Sequence, residues 1–125
     1  LVTSKYQVIK TLLNAGADVK KTDAYGRNVL MHNVVIANPD DEDEQENQLA
    51  VIELVLSTDK IDINATDHNG DTALMISVSS RYPDSDIIEL LLKKGAIVSL
   101  KNKQGKTALD MARFPHIKQL LIKYK

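Results

Sequence analysis

The chain has 125 residues, 43% of them hydrophobic and 26% charged, with a formal net charge of −1, the balance of one soluble globular domain. Cysteine is absent, which excludes disulfides and thiolate chemistry, and aromatic residues make up only 4% with no Trp, which suits interlocked aliphatic helices better than an aromatic-rich β fold. No apolar stretch approaches membrane-spanning length, and Lys5 and Lys10 interrupt any signal-peptide pattern, so the expected location is cytoplasmic with no membrane partner.

In chain order, a lone helix is predicted near residues 4–14, where Val8, Ile9, Leu12 and Leu13 fall on one helical face. A turn follows around residues 20–27, then a helix from Asn28 to about Ala37 and a long helix from about Asp41 to Leu56. Beyond a turn at residues 67–71, helices are predicted near residues 72–80 and 85–93. A last turn at residues 102–106 leads to helices near 107–113 and 115–124, the latter beginning around His116. Val51, Ile52, Leu54, Val55 and Leu56 form one core stripe, and Ile87, Ile88, Leu90, Leu91 and Leu92 another.

The three turns are one phrase written three times: Asp23-Ala-Tyr-Gly26-Arg-Asn-Val-Leu30, Asp67-His-Asn-Gly70-Asp-Thr-Ala-Leu74 and Asn102-Lys-Gln-Gly105-Lys-Thr-Ala-Leu109. An acid or amide bonds nearby backbone, glycine accepts φ > 0, and the Asn or Thr two residues later caps a helix. A second marker ends the preceding helices, Asn14-Ala15-Gly16-Ala17-Asp18-Val19 and Lys93-Lys94-Gly95-Ala96-Ile97-Val98, with a degenerate copy at Asp59-Lys60-Ile61-Asp62-Ile63-Asn64. Gly16 to Gly26 and Gly95 to Gly105 are both 10 residues apart. Equal offsets between independent markers mean a stacked repeat.

On these residues the chain resembles the ankyrin repeat family, whose unit of about 33 residues is a β-turn and two antiparallel helices opened by Thr-Pro-Leu-His. The matching positions are Asn28-Val29-Leu30-Met31, Thr72-Ala73-Leu74-Met75 and Thr107-Ala108-Leu109-Asp110. The family's Pro and His are missing, so Met31 and Met75 must replace the His hydrogen bonds by apolar packing. The resemblance implies an all-α solenoid of about 3.5 to 4 repeats with β-turn tips. The expected units are a partial repeat at residues 1–22, a repeat at 23–66 with an insert at 38–48, a repeat at 67–101 and a shortened capping repeat at 102–125. Residues 1–22 are either a half-repeat cap or the remainder of a trimmed chain.

The insert carries Asp40, Asp41, Glu42, Asp43, Glu44 and Glu46, about eleven residues beyond the family unit. Its structural explanation is a lengthened, solvated helix whose first-turn carboxylates suit the positive end; its functional one is docking of a basic partner. No glycine-containing calcium loop accompanies the acids, and no metal is expected. A second irregularity, residues 79–86, reads as a loop with Asp84 or Ser85 as helix cap. Residues 1–38 carry five basic and two acidic groups, residues 39–100 four and fourteen, and residues 101–125 seven and one. A solenoid lays this order out in space. Nucleic acid is not an expected partner, because aromatics do not interleave the terminal lysines and the acidic segment repels phosphate.

His32, His68 and His116 stand far apart, and there is no zinc spacing, nucleophile elbow, P-loop or dinucleotide fingerprint. His32 is expected to face inward, and His68 to lie exposed on a turn tip. Neither an enzyme nor a cofactor is expected. The resemblance instead implies recognition on a concave strip of turn tips and first helices. Ala24, Tyr25 and Arg27 map there, followed by His68, Asn69 and Asp71, then Lys103, Gln104 and Lys106. From the helices come Val35, Ile36, Ser79 and Ser80, with Val35 and Ile36 as a small greasy patch. The expected partner is a protein bound to a monomeric module, and Arg27→Glu is expected to weaken binding without harming the fold. One alternative is a nucleotide-like ligand held by Tyr25, Arg27 and Lys106, and another is a purely structural stacking or oligomerisation unit.

Overall fold

The computed structural model describes residues 5–125. Among them are seven helices and no strand: α1 (Lys5–Asn14), α2 (Val29–Asn33), α3 (Glu42–Ser57), α4 (Ala73–Ser79), α5 (Ser85–Lys93), α6 (Ala108–Met111) and α7 (Pro115–Lys123). Position 4, where the first helix was expected to start, lies outside the described residues. Helices α2 and α3, α4 and α5, and α6 and α7 pack as successive pairs, and α1 packs on α3.

Each pair starts with a capped short helix. Asn28 Oδ1 accepts from the Met31 amide at 3.0 Å, and Thr72 Oγ1 from that of Met75 at 3.3 Å. Thr107 and Asp110 bond reciprocally, each side chain to the other's backbone amide. These bonds satisfy amides that a helix start leaves without partners. Met31 and Met75 are buried, packing where the family's His would stand.

One continuous core joins the pairs: Leu30, Met31, Val51, Ile52 and Val55, then Leu74, Met75, Ile87, Ile88 and Leu91, then Ala108, Ile117 and Leu121. Leu56 and Leu90 pack at its margin, and Leu54 is half-buried. The first helix departs from the expected stripe. It buries no residue, and Val8 and Leu12 are 45% and 51% exposed. Because α1 packs on α3, its Ile9 side is covered while the Val8–Leu12 side faces solvent.

A second departure is the end of α2. A helix to about Ala37 was expected, yet α2 stops at Asn33. The run Val34-Val35-Ile36 is β-branched and poorly suited to helix. Buried Gln48, on α3, supplies the alternative: its Nε2 donates to the carbonyls of Asn33 at 2.9 Å and Val35 at 3.3 Å. The chain leaves the helix there and turns Ile36 into the core. The predicted helix near 107–113 is likewise short, ending at Met111, with Ala112 extended.

The insert lengthens α3 to 16 residues, against nine in α5 and α7. Asp41 caps it by accepting from the Glu44 amide at 3.1 Å, and Glu44 accepts from the Ala37 amide at 3.2 Å. Glu42, Asp43 and Glu44 occupy the first turn, beside the positive end of the helix dipole. Asp40 and Glu46 are exposed. The degenerate marker after α3 works without glycine. Asp59 takes φ 55°, the left-handed turn that Gly16 and Gly95 make after α1 and α5. Asp is among the few residues that tolerate it. Among the described residues no helix is long and apolar enough to cross a membrane.

Candidate protein-binding strip

The three tips are built alike. Asp23 Oδ1 accepts from the amides of Tyr25 and Arg27 at 2.9 and 3.0 Å. Asp67 Oδ1 takes those of Asn69 and Asp71 at 2.9 and 3.0 Å, and Asn102 Oδ1 those of Gln104 and Lys106 at 2.9 and 3.0 Å. The fourth residue is glycine at φ 77–78° in every tip. Each loop therefore holds its backbone with its own first side chain, and the middle residues are released outward.

Neighbouring tips are then bonded to one another. The His68 amide donates to the Tyr25 carbonyl at 2.9 Å, and the Lys103 amide to the Asn69 carbonyl at 3.1 Å. Side chains repeat the link: Arg27 Nε lies 3.2 Å from Asp67 Oδ2, and Asn102 Nδ2 donates to Asp71 Oδ1 at 2.9 Å. A second tie lies at the helix-end markers, where Asn64 bonds the Gly95 carbonyl and the Ile97 amide. The tips form one strip rather than three independent loops.

This places the expected site residues unequally. Tyr25 is 71% exposed, and His68, Asn69, Gln104 and Lys106 are exposed on the same strip. Asp71 is half-buried and engaged with Asn102. Arg27 is committed to Asp67, whose side chain is 1% exposed, so Arg27→Glu would set two carboxylates together at a buried site and injure the fold. Ile36 is corrected outright: it is 3% exposed and packs in the core, because α2 ends early, while Val35 beside it is 38% exposed. No two-residue greasy patch exists. His32 is also corrected, since it is exposed and its Nε2 lies 2.8 Å from Asp23 Oδ2; Leu30, Met31, Asn33 and Val34 take the buried side. Ser79 is exposed, donating its hydroxyl to the Met75 carbonyl at 2.8 Å.

The short helices add little. Residues 73–78 of α4 are all buried, so outward groups are chiefly those of the tips. The Asp23 carboxyl is held below its ordinary value first by the Arg27 amide, with Tyr25 and His32 assisting against desolvation. Asp110 is lowered in the same sense, first by the Thr107 amide. The sequence shows Asp67 as a turn acid and Asn64 as part of a helix-end marker, but not their ties to Arg27 and to Gly95 and Ile97; an Asp at a repeated turn position opposite an Arg was a usable sign.

Stacked helix pairs with bonded turn tips define an α-solenoid. The family model of ankyrin repeats (3 copies) matches residues 44–125, and the chain belongs to the ankyrin repeat family. It is 29% identical over 147 aligned positions to YahD of Escherichia coli (strain K12), whose given name describes an ankyrin repeat protein; the match covers 94% of this chain and 73% of YahD. It is 39% identical over 79 residues to the NAD-capped RNA hydrolase NUDT12 of Homo sapiens and of Macaca fascicularis. That match covers 61% of this chain but 17% of those proteins. Ankyrin repeats are in general protein-interaction modules and typically non-catalytic.

Proposed function

We propose that this chain is a non-enzymatic module that binds a partner protein through the strip of turn tips, with Tyr25 as apolar anchor and His68, Asn69, Gln104 and Lys106 as polar contacts. The carrying observation is the contrast within each tip. The first side chain of each tip holds two amides of its own turn, while the middle side chains are exposed on a surface held from repeat to repeat. A preorganised backbone lowers the entropic cost of binding, and Tyr is a type enriched at interface hot spots. The strip turns from neutral at Tyr25 to basic at Lys103 and Lys106, which suits a partner surface with acid toward one end. One copy supplies the whole strip, so binding on this reading needs no second copy.

The nucleotide-like alternative is less well supported. Tyr25 lies on the first tip and Lys106 on the third, with the second between them, and Arg27 is spent on Asp67. The test is capture from the source lysate by the wild-type chain beside Tyr25→Ala/Lys106→Glu, matched by circular dichroism. A protein lost in the variant supports the strip, and equal capture removes it.

A further inference from the structure

The passage from one helix of a pair to the next holds a second recurring phrase: Arg81-Tyr82-Pro83 between α4 and α5, and Arg113-Phe114-Pro115 running from the link after α6 into the start of α7. In both, the guanidinium lies over the neighbouring ring, at 5.4 Å for Tyr82 and 5.3 Å for Phe114. Helix capping does not account for the recurrence. Tyr82 and Pro83 precede the N-cap Asp84, whereas Phe114 is itself the N-cap of α7 and Pro115 its first residue. Core packing does not account for it either, because both rings and both arginines are exposed.

The two phrases lie side by side, since Arg113 Nη2 donates to the Ser80 carbonyl at the head of the other link. They sit on the edge of the stack away from the tips, because each first helix runs from its tip to this link and the second returns. Among the described residues neither arginine is ion-paired with a carboxylate of the chain. Asp84, the acid nearest Arg81 in sequence, accepts the amides of Asp86 and Ile87 at Oδ1, and Asp110, the acid nearest Arg113, accepts the Thr107 amide at Oδ2. Exposed Lys118 on α7 adds a positive charge, and exposed Asp86 on α5 and Asp110 on α6 are the acids of the adjoining helices.

We propose that this edge is a second docking surface, separate from the tips, for an acidic extended segment of a partner protein. A guanidinium over a ring can still offer in-plane donors to a carboxylate; Arg81 keeps its whole fork for this, whereas Arg113 spends Nη2 on the Ser80 carbonyl and offers its remaining donors. Neighbouring packed helices stand about 8–10 Å apart, and a polyproline II strand advances about 3.1 Å per residue with three residues per turn. Two acids three positions apart therefore reach both arginines from one face, while the rings pack against intervening prolines.

The test is fluorescence anisotropy on the full chain with labelled nonapeptides that carry Glu-Pro-Pro-Glu, Glu-Pro-Glu-Pro or Lys-Pro-Pro-Lys cores. Saturable binding is expected for the first, weaker binding for the second and none for the third. Arg81→Ala, which breaks no hydrogen bond of the fold, should weaken the first about tenfold, and Arg81→Ala/Arg113→Ala should abolish it. Tyr25→Ala/Lys106→Glu should leave it unchanged. Absence of saturation at millimolar peptide overturns the proposal, as does equal binding of the Lys core or indifference to Arg81→Ala. Loss only in the tip variant transfers the site to the strip.

Discussion

Gly70 and Gly105 have the same φ of 77°, yet they differ in what surrounds them. A Cβ on Gly70 would lie 2.9 Å from the Lys103 nitrogen, whereas one on Gly105 would meet nothing within 4 Å. Replacing either with Ala costs about 1–2 kcal/mol for the left-handed backbone, and Gly70→Ala should cost measurably more because it also separates two tips. Urea unfolding of both variants measures the difference, and equal losses would mean that the tips do not bear on one another. One tip acid and one helix-capping acid also give the fold a pH dependence. Asp23 and Asp110 have folded-state values below the ordinary 3.8, so their contribution is present above that value and is lost as pH falls through the folded one. Asp23→Asn keeps the acceptor, as Asn102 does in the third tip. Its melting temperature should fall less than wild type between about pH 5 and pH 2.5; an identical fall would remove Asp23 as a source of acid sensitivity.

Helices whose apolar stripe and caps both lie within a dozen residues were legible in the sequence: α3, α5 and α7 fall within a residue or two of their expected limits. The tips were legible for the same reason, since the acid or amide, the glycine and the following cap act over eight residues. The end of α2 was not, because Gln48 sets it from 15 positions away by bonding the carbonyls of Asn33 and Val35. Ile36 was misplaced as a consequence. Arg27 was legible as an outward turn residue but not as the partner of Asp67, which lies 40 positions on. Gln48→Ala tests this account of α2. It leaves the buried Asn33 carbonyl and the partly buried Val35 carbonyl without this donor and should cost about 2–4 kcal/mol in urea unfolding. A loss under about 1 kcal/mol would show that α2 ends through its own β-branched sequence.

Across the whole molecule, stability and recognition come from one arrangement. Repeats join through apolar faces that none can bury alone, and their tips join through bonds that use the backbone and the first side chain of each turn. What remains outward is Tyr25, then His68 and Asn69, then Lys103, Gln104 and Lys106, ordered along the stack. The acids of α3 and the arginine–aromatic pairs of the opposite edge give the surface further distinct stretches of charge, and net charge alone conceals them. The most direct measurement is the comparative capture by wild type and Tyr25→Ala/Lys106→Glu at equal helicity, read by mass spectrometry. A tip-strip binding module predicts a partner protein retained by the first and lost by the second. Identical captured sets from both chains would contradict it.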